Sequence, residues 1–140
     1  MHIDFHSNVA DKFNYACRLV RKARAADTRI VLRAAPQDLA QLDAALWTFS
    51  AADFLPHVRA GDALAPQTPV ILTDDDTAEL PHHQILINLS ATAPAHFERF
   101  ERLIEIVGAD EADAQAGRER YRLYKGQGYQ LNHFVAQKHG

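Results

Sequence analysis

The chain has 140 residues, 47% of them hydrophobic and 24% charged, with a formal net charge of -3. That length suits one domain, residues 1–140, that needs no disulfide or metal to hold its core, and the negative balance excludes a protein that coats duplex DNA through general attraction to phosphate. Cys17 is the only cysteine, the opening MHIDFHSN carries no basic leader, and no apolar run approaches the roughly 20 residues that span a bilayer, so a cytoplasmic chain with no membrane segment is expected.

Ile3 and Phe5 alternate with His2, Asp4 and His6, which predicts a short strand ending at Ser7-Asn8, a pair suited to capping a helix. Over residues 9–26, Val9, Phe13, Ala16, Cys17 and Val20 share one helical face while Arg18, Arg21, Lys22 and Arg24 lie largely elsewhere. Arg29-Ile30-Val31-Leu32 is short and apolar, and reads as a strand beside the first in a βαβ unit. Pro36 opens a second helix with Leu39, Leu42 and Leu46 on one side, ending near Trp47. Residues 48–67 lack a sustained period and read as a loop, although Phe49, Phe54, Leu55 and Pro56 make it unusually apolar.

Residues 69–73 and 84–89 have strand composition, with Asp74-Asp75-Asp76 and His82-His83 between them. Pro94 is expected to start a helix carrying Phe97 and Phe100, and residues 103–107 a final parallel strand before Gly108. The last helix begins at Asp110, with Asp113 placed to reach back to its start, and runs to the vicinity of Gly126 and Gly128. Its first turn is acidic and its last basic, as the helix dipole favours. The alternation predicts an α/β fold with a mostly parallel, mixed sheet flanked by helices on both faces, Rossmann-like in layout.

Catalytic motifs are sparse. There is no GxGxxG and no GxxxxGK[ST], and all six glycines lie at position 61 or later, so no dinucleotide or triphosphate cofactor is expected. Ser7 lacks the Gly-x-Ser-x-Gly context of a nucleophile elbow. His2, Asp4 and His6 share one strand face and offer the sharpest enzymatic alternative, a small metal-dependent or nucleotide-binding enzyme. Neighbours two apart on a strand are separated by roughly 6.5–7 Å, which is awkward for one ion, so no metal site is expected. His82 and His83 read as surface decoration, and Cys17 as a small core hydrophobe.

Two segments suggest binding. In GRERYRLYKGQGY, Arg118, Arg122 and Lys125 recur at i, i+4 and i+7 beside Tyr121. This row, bordered by Val107, suits an acidic peptide ending in a bulky residue, and it is equally the pattern of a solvated helix face. Trp47, Phe54, Leu55, Pro56 and His57 form an aromatic cluster that either anchors an interface or closes the core beneath the loop.

Together the segments LDAALWTFSAADFLPH and RERYRLYKGQGYQLN, with the opening strand, the ILINLS strand and the chain length, resemble the chi subunit family of bacterial DNA polymerase III. The resemblance implies a non-catalytic replication adaptor that binds the psi subunit of the clamp-loader complex and the acidic C-terminal tail of single-stranded DNA-binding protein. It places Val107, Arg118, Tyr121, Arg122 and Lys125 in the tail site. It places Trp47, Phe54, Pro56 and His57 on the surface for psi, which in some members an accessory repair helicase also contacts. One departure is Asp113-Ala114-Gln115, where a family member can carry another cation; the acidic turn is expected to weaken the tail site.

Overall fold

Residues 30–32, 70–72 and 85–87 are uninterrupted aliphatic runs, the pattern of strands covered on both faces. In the computed structural model, which describes residues 1–49 and 54–136, these runs are adjacent strands at the centre of a seven-stranded sheet. The elements in chain order are β1 (His2–Val9), α1 (Lys12–Ala25), β2 (Ile30–Arg33), α2 (Leu39–Thr48), β3 (His57–Arg59), β4 (Val70–Thr73), β5 (Ile85–Asn88), β6 (Arg102–Gly108), α3 (Glu111–Gly126) and β7 (Leu131–Val135). The sheet order is β3-β4-β2-β5-β6-β1-β7, and every described pairing is parallel, so the expected mixed character is absent.

Alternation along the strands builds two cores. Ile30, Leu32, Val70, Leu72, Ile87, Ile104 and Ile106 face α1 and α2, which supply Ala16, Cys17, Val20, Leu42 and Leu46. On the other face Ile3, Phe5, Leu103 and Val107 meet Tyr124 of α3 and the rings of Phe97 and Phe100. Leu42 and Leu46 are almost fully buried, a contribution of about 1.5–3 kcal/mol each by apolar burial.

Several expectations fail for local reasons. The cap of α1 is Asp11, whose Oδ1 accepts from the Asn14 amide at 3.1 Å. Ser7 and Asn8 instead continue β1, with Asn8 in the left-handed region (φ 59) where β1 shifts register against β6. β1 and β2 are not neighbours, because β5 and β6 lie between them, so α1 makes a wide crossover. A strand's own pattern fixes its two faces, not its place in the sheet.

The segment after Pro94 forms only a 3₁₀ turn, Phe97–Arg99, since His96 is left-handed (φ 62) and Phe100 is already extended. Both phenylalanines are nonetheless buried. The expected loop 48–67 contains β3, a strand of three residues at one sheet edge. β6 is not the last strand: after Gly128 (φ 91) the chain adds β7 against the free side of β1.

A candidate peptide pocket between α3 and the β7 edge

α3 crosses from β6 to β7 and comes unusually close to the sheet at Gly117. A Cβ there would lie 2.7 Å from Val107 Cγ1, closer than packing allows without a shift. With Ala114 one turn earlier, this small-residue stretch leaves a groove beside the helix. The register shift at the end of β1 opens the same place from below. The result is a pocket of about 460 Å³ whose wall includes Val107, Gly117, Arg118, Tyr121, Arg122 and His133, with Phe5, Ser7 and Asn8 beneath.

The sequence row is therefore assembled in part. Val107, Arg118, Tyr121 and Arg122 meet at this pocket, whereas Lys125 is exposed one turn further along α3 and does not line it. Tyr121 stands edge-on to Phe5 with ring centroids 5.1 Å apart. Arg118 pairs with the largely exposed Glu111 at 2.9 Å and with Gln115 at 2.8 Å. Such surface contacts are worth at most about 1 kcal/mol and yield to a better anion. Among the described residues no carboxylate lines the pocket.

Of the acidic start of α3, Glu111 reaches the pocket rim through Arg118, whereas Asp113 is turned inward. Asp113 Oδ2 accepts from the Gly108 amide at 2.6 Å and from Lys12 Nζ at 3.1 Å, so its charge is spent inside the fold. Asp110 caps the helix by accepting from the Asp113 amide.

Beneath the pocket, α3 is tied down by a group that sequence reasoning overlooked. Glu105 is fully buried and accepts from Arg120 Nε at 3.1 Å, Tyr124 Oη at 2.5 Å and Asn88 Nδ2 at 2.9 Å. Burial pushes its carboxyl up, while Arg120, Tyr124 and Asn88 pull it back. Arg33 extends the network to Asn88, Ser90, Thr92 and Asp76. A single acid inside LIEIVG, facing Arg120 and Tyr124 four apart on one helix face, was the available signal.

The aromatic cluster divides rather than choosing one role. Trp47 and Phe54 are 53% and 70% exposed with ring centroids 5.5 Å apart, and Pro56 is also exposed. His57 and Leu55 are buried beneath them. His57 Nδ1 donates to the Leu55 carbonyl at 2.6 Å, its Nε2 stands 2.9 Å from Asp43, and Trp47 lies over it at 4.6 Å. Residues 50–53 of this segment lie outside the described residues.

The family model for the DNA polymerase III chi subunit, HolC, matches residues 1–132. The chain belongs to this chi subunit family. It is 33% identical to the DNA polymerase III subunit chi of Pseudomonas aeruginosa over 92% of each chain. The chi subunits of Haemophilus influenzae and Escherichia coli are each 30% identical over 66% of this chain and 64% and 63% of their own. A chi-family chain is an accessory component of the DNA polymerase III holoenzyme, so this one serves replication alongside other subunits of that assembly.

The rival constellation is used otherwise in this chi-family chain. Asp4 Oδ2 accepts from Arg102 Nε at 2.8 Å and Nη2 at 2.5 Å, and Oδ1 accepts from Asn132 at 3.0 Å. His6 bonds the Tyr15 hydroxyl and its ring sits 5.1 Å from Phe134. Among the described residues no three His, Cys, Asp or Glu side chains are grouped to hold a metal. His82 is buried and His83 stands edge-on to Phe100 at 5.2 Å, so this pair is packed rather than decorative. Cys17 is buried in the core as expected, and burial pushes its thiol up to about 11. No described helix is long and apolar enough to cross a membrane.

Proposed function

We propose that this chain is a non-catalytic adaptor linking the psi subunit of the clamp-loader complex to the acidic C-terminal tail of single-stranded DNA-binding protein. The observation that carries the reading is the acid-free pocket in which Arg118 and Arg122 rim an apolar floor made by Val107, Phe5 and Tyr121. Arginine pairs carboxylates in fixed geometry, and a floor of this kind takes a terminal aromatic ring. Lys125 extends the positive row along α3 toward aspartates further up the tail.

Trp47, Phe54 and Pro56, seated on His57, form the surface for psi, with an accessory repair helicase as a second user. Exposed aromatics clustered at one place are the usual anchors of protein interfaces.

The test is titration of a labelled synthetic peptide, three aspartates followed by Ile-Pro-Phe with a free carboxylate, at two salt concentrations. Wild type should bind saturably and more weakly at higher salt, and Arg118→Ala or Arg122→Ala should weaken it by about ten-fold with unchanged circular dichroism. Absence of wild-type binding at low salt overturns the tail assignment.

A further inference from the structure

His133 lies just beyond the family match, which ends at residue 132, yet it forms the wall of the pocket opposite α3. Its Nε2 is 2.7 Å from Ser7 Oγ, and its ring is 6.3 Å from Tyr121. The register Phe5↔His133 puts it on the α3 face of β7, the same face as Phe5. Asp4 and His6, the nearest titratable groups of β1, alternate to the opposite face, where they contact Arg102 and Tyr15. From α3 the groups facing the pocket are Arg118, Tyr121 and Arg122, and imidazole is the side-chain type that ordinarily changes charge between about pH 5 and pH 8.

Ser7 and His133 stand at the distance of a nucleophile and its base. No carboxylate bonds His133 Nδ1 among the described residues, so the orienting third group of a hydrolytic triad is missing. The same arrangement suits binding: with Ser7 holding Nε2, Nδ1 remains for a ligand oxygen.

Resting on the tail-binding reading above, we propose that His133 is a third recognition residue of the pocket, which on protonation adds a cation facing Arg118 and Arg122 and makes acidic-peptide binding tighten as pH falls. The sign follows from linkage. Carboxylates brought beside an imidazole favour its charged form, so binding takes up a proton and strengthens as pH falls. The peptide's own carboxylates stay ionised above about pH 5, which leaves the imidazole as the titrating partner.

The experiment is titration of the same Asp-Asp-Asp-Ile-Pro-Phe peptide with the full chain at about pH 8 and about pH 5.5 at constant ionic strength. Wild type should bind about two- to five-fold more tightly at the lower pH, the range of a partly exposed ion pair. His133→Gln should lose that gain while keeping Arg118-dependent binding at the higher pH, and His133→Lys should bind tightly at both. A gain that persists in His133→Gln, or a flat wild-type response with Arg118-dependent binding intact, overturns the role of His133 and leaves the tail reading standing. No binding at either pH removes both.

Discussion

Two apolar surfaces open to solvent lie at opposite edges of one sheet, and they are held in opposite ways. The β7 edge carries a concave pocket whose helix is fastened from beneath by buried, hydrogen-bonded charge around Glu105. The β3 edge carries Trp47, at the end of α2, and Phe54 standing outward, with Trp47 in ring contact with the buried His57. A pocket keeps its shape only if its walls cannot drift, so polar anchoring is placed there. A projecting aromatic pair can be covered by a partner without a preformed cavity.

The sharpest way to break that contrast is Glu105→Ala. It strands Arg120 in the interior and should cost about 3–5 kcal/mol, read as a lower denaturant midpoint, with peptide binding falling as α3 loosens. Gly117→Ala comes next. The added methyl must push Val107 aside at a cost of about 1–3 kcal/mol, offset by about 1 kcal/mol of helix propensity. The net loss should be small in urea unfolding while the peptide affinity drops visibly.

Trp47→Ala should lower stability by no more than about 0.5–1.5 kcal/mol and leave peptide affinity unchanged, since the pocket lies at the other edge. Loss of tail-peptide binding in this variant would mean the two edges are coupled. The smallest effect expected is a pH dependence unrelated to either surface. Burial is the largest cause holding the His82 imidazole below its usual value; a bond with the Thr68 backbone, next in size, raises it, and Arg29, His83 and Arg24 lower it further. The unfolded chain therefore binds that proton more readily, and stability should fall as pH drops below about 6.5. His82→Gln should flatten that slope in unfolding measured from neutral to mildly acid pH.

The sequence announced the strands whose pattern is dictated by burial, β2, β4 and β5, and the helices with a clear apolar stripe, α1 and α2. β3 and β7 escaped notice because edge strands of three and five residues are specified by the neighbour they pair with rather than by their own alternation. The same cause hid half of the candidate site's walls. Val107, Arg118, Tyr121 and Arg122 share a helix and its adjoining strand, and spacing alone brought them together. His133 and Ser7 join them only through the pairing of β7 with β1, a contact between residues 126 positions apart. Lys125 was placed with the row because it shares the helix face, but the pocket closes before reaching it.

The sheet order also fixes how the molecule would bear load. Partners gripping the β3 and β7 edges would pull across the strands, along their hydrogen bonds, through six interfaces in series over about 29 Å. In that direction the bonds break in succession rather than shearing together, and the interface with the fewest pairs gives way first. That interface is β3 on β4, with three paired residues, so under tension β3 would peel from the sheet while the pocket stayed whole.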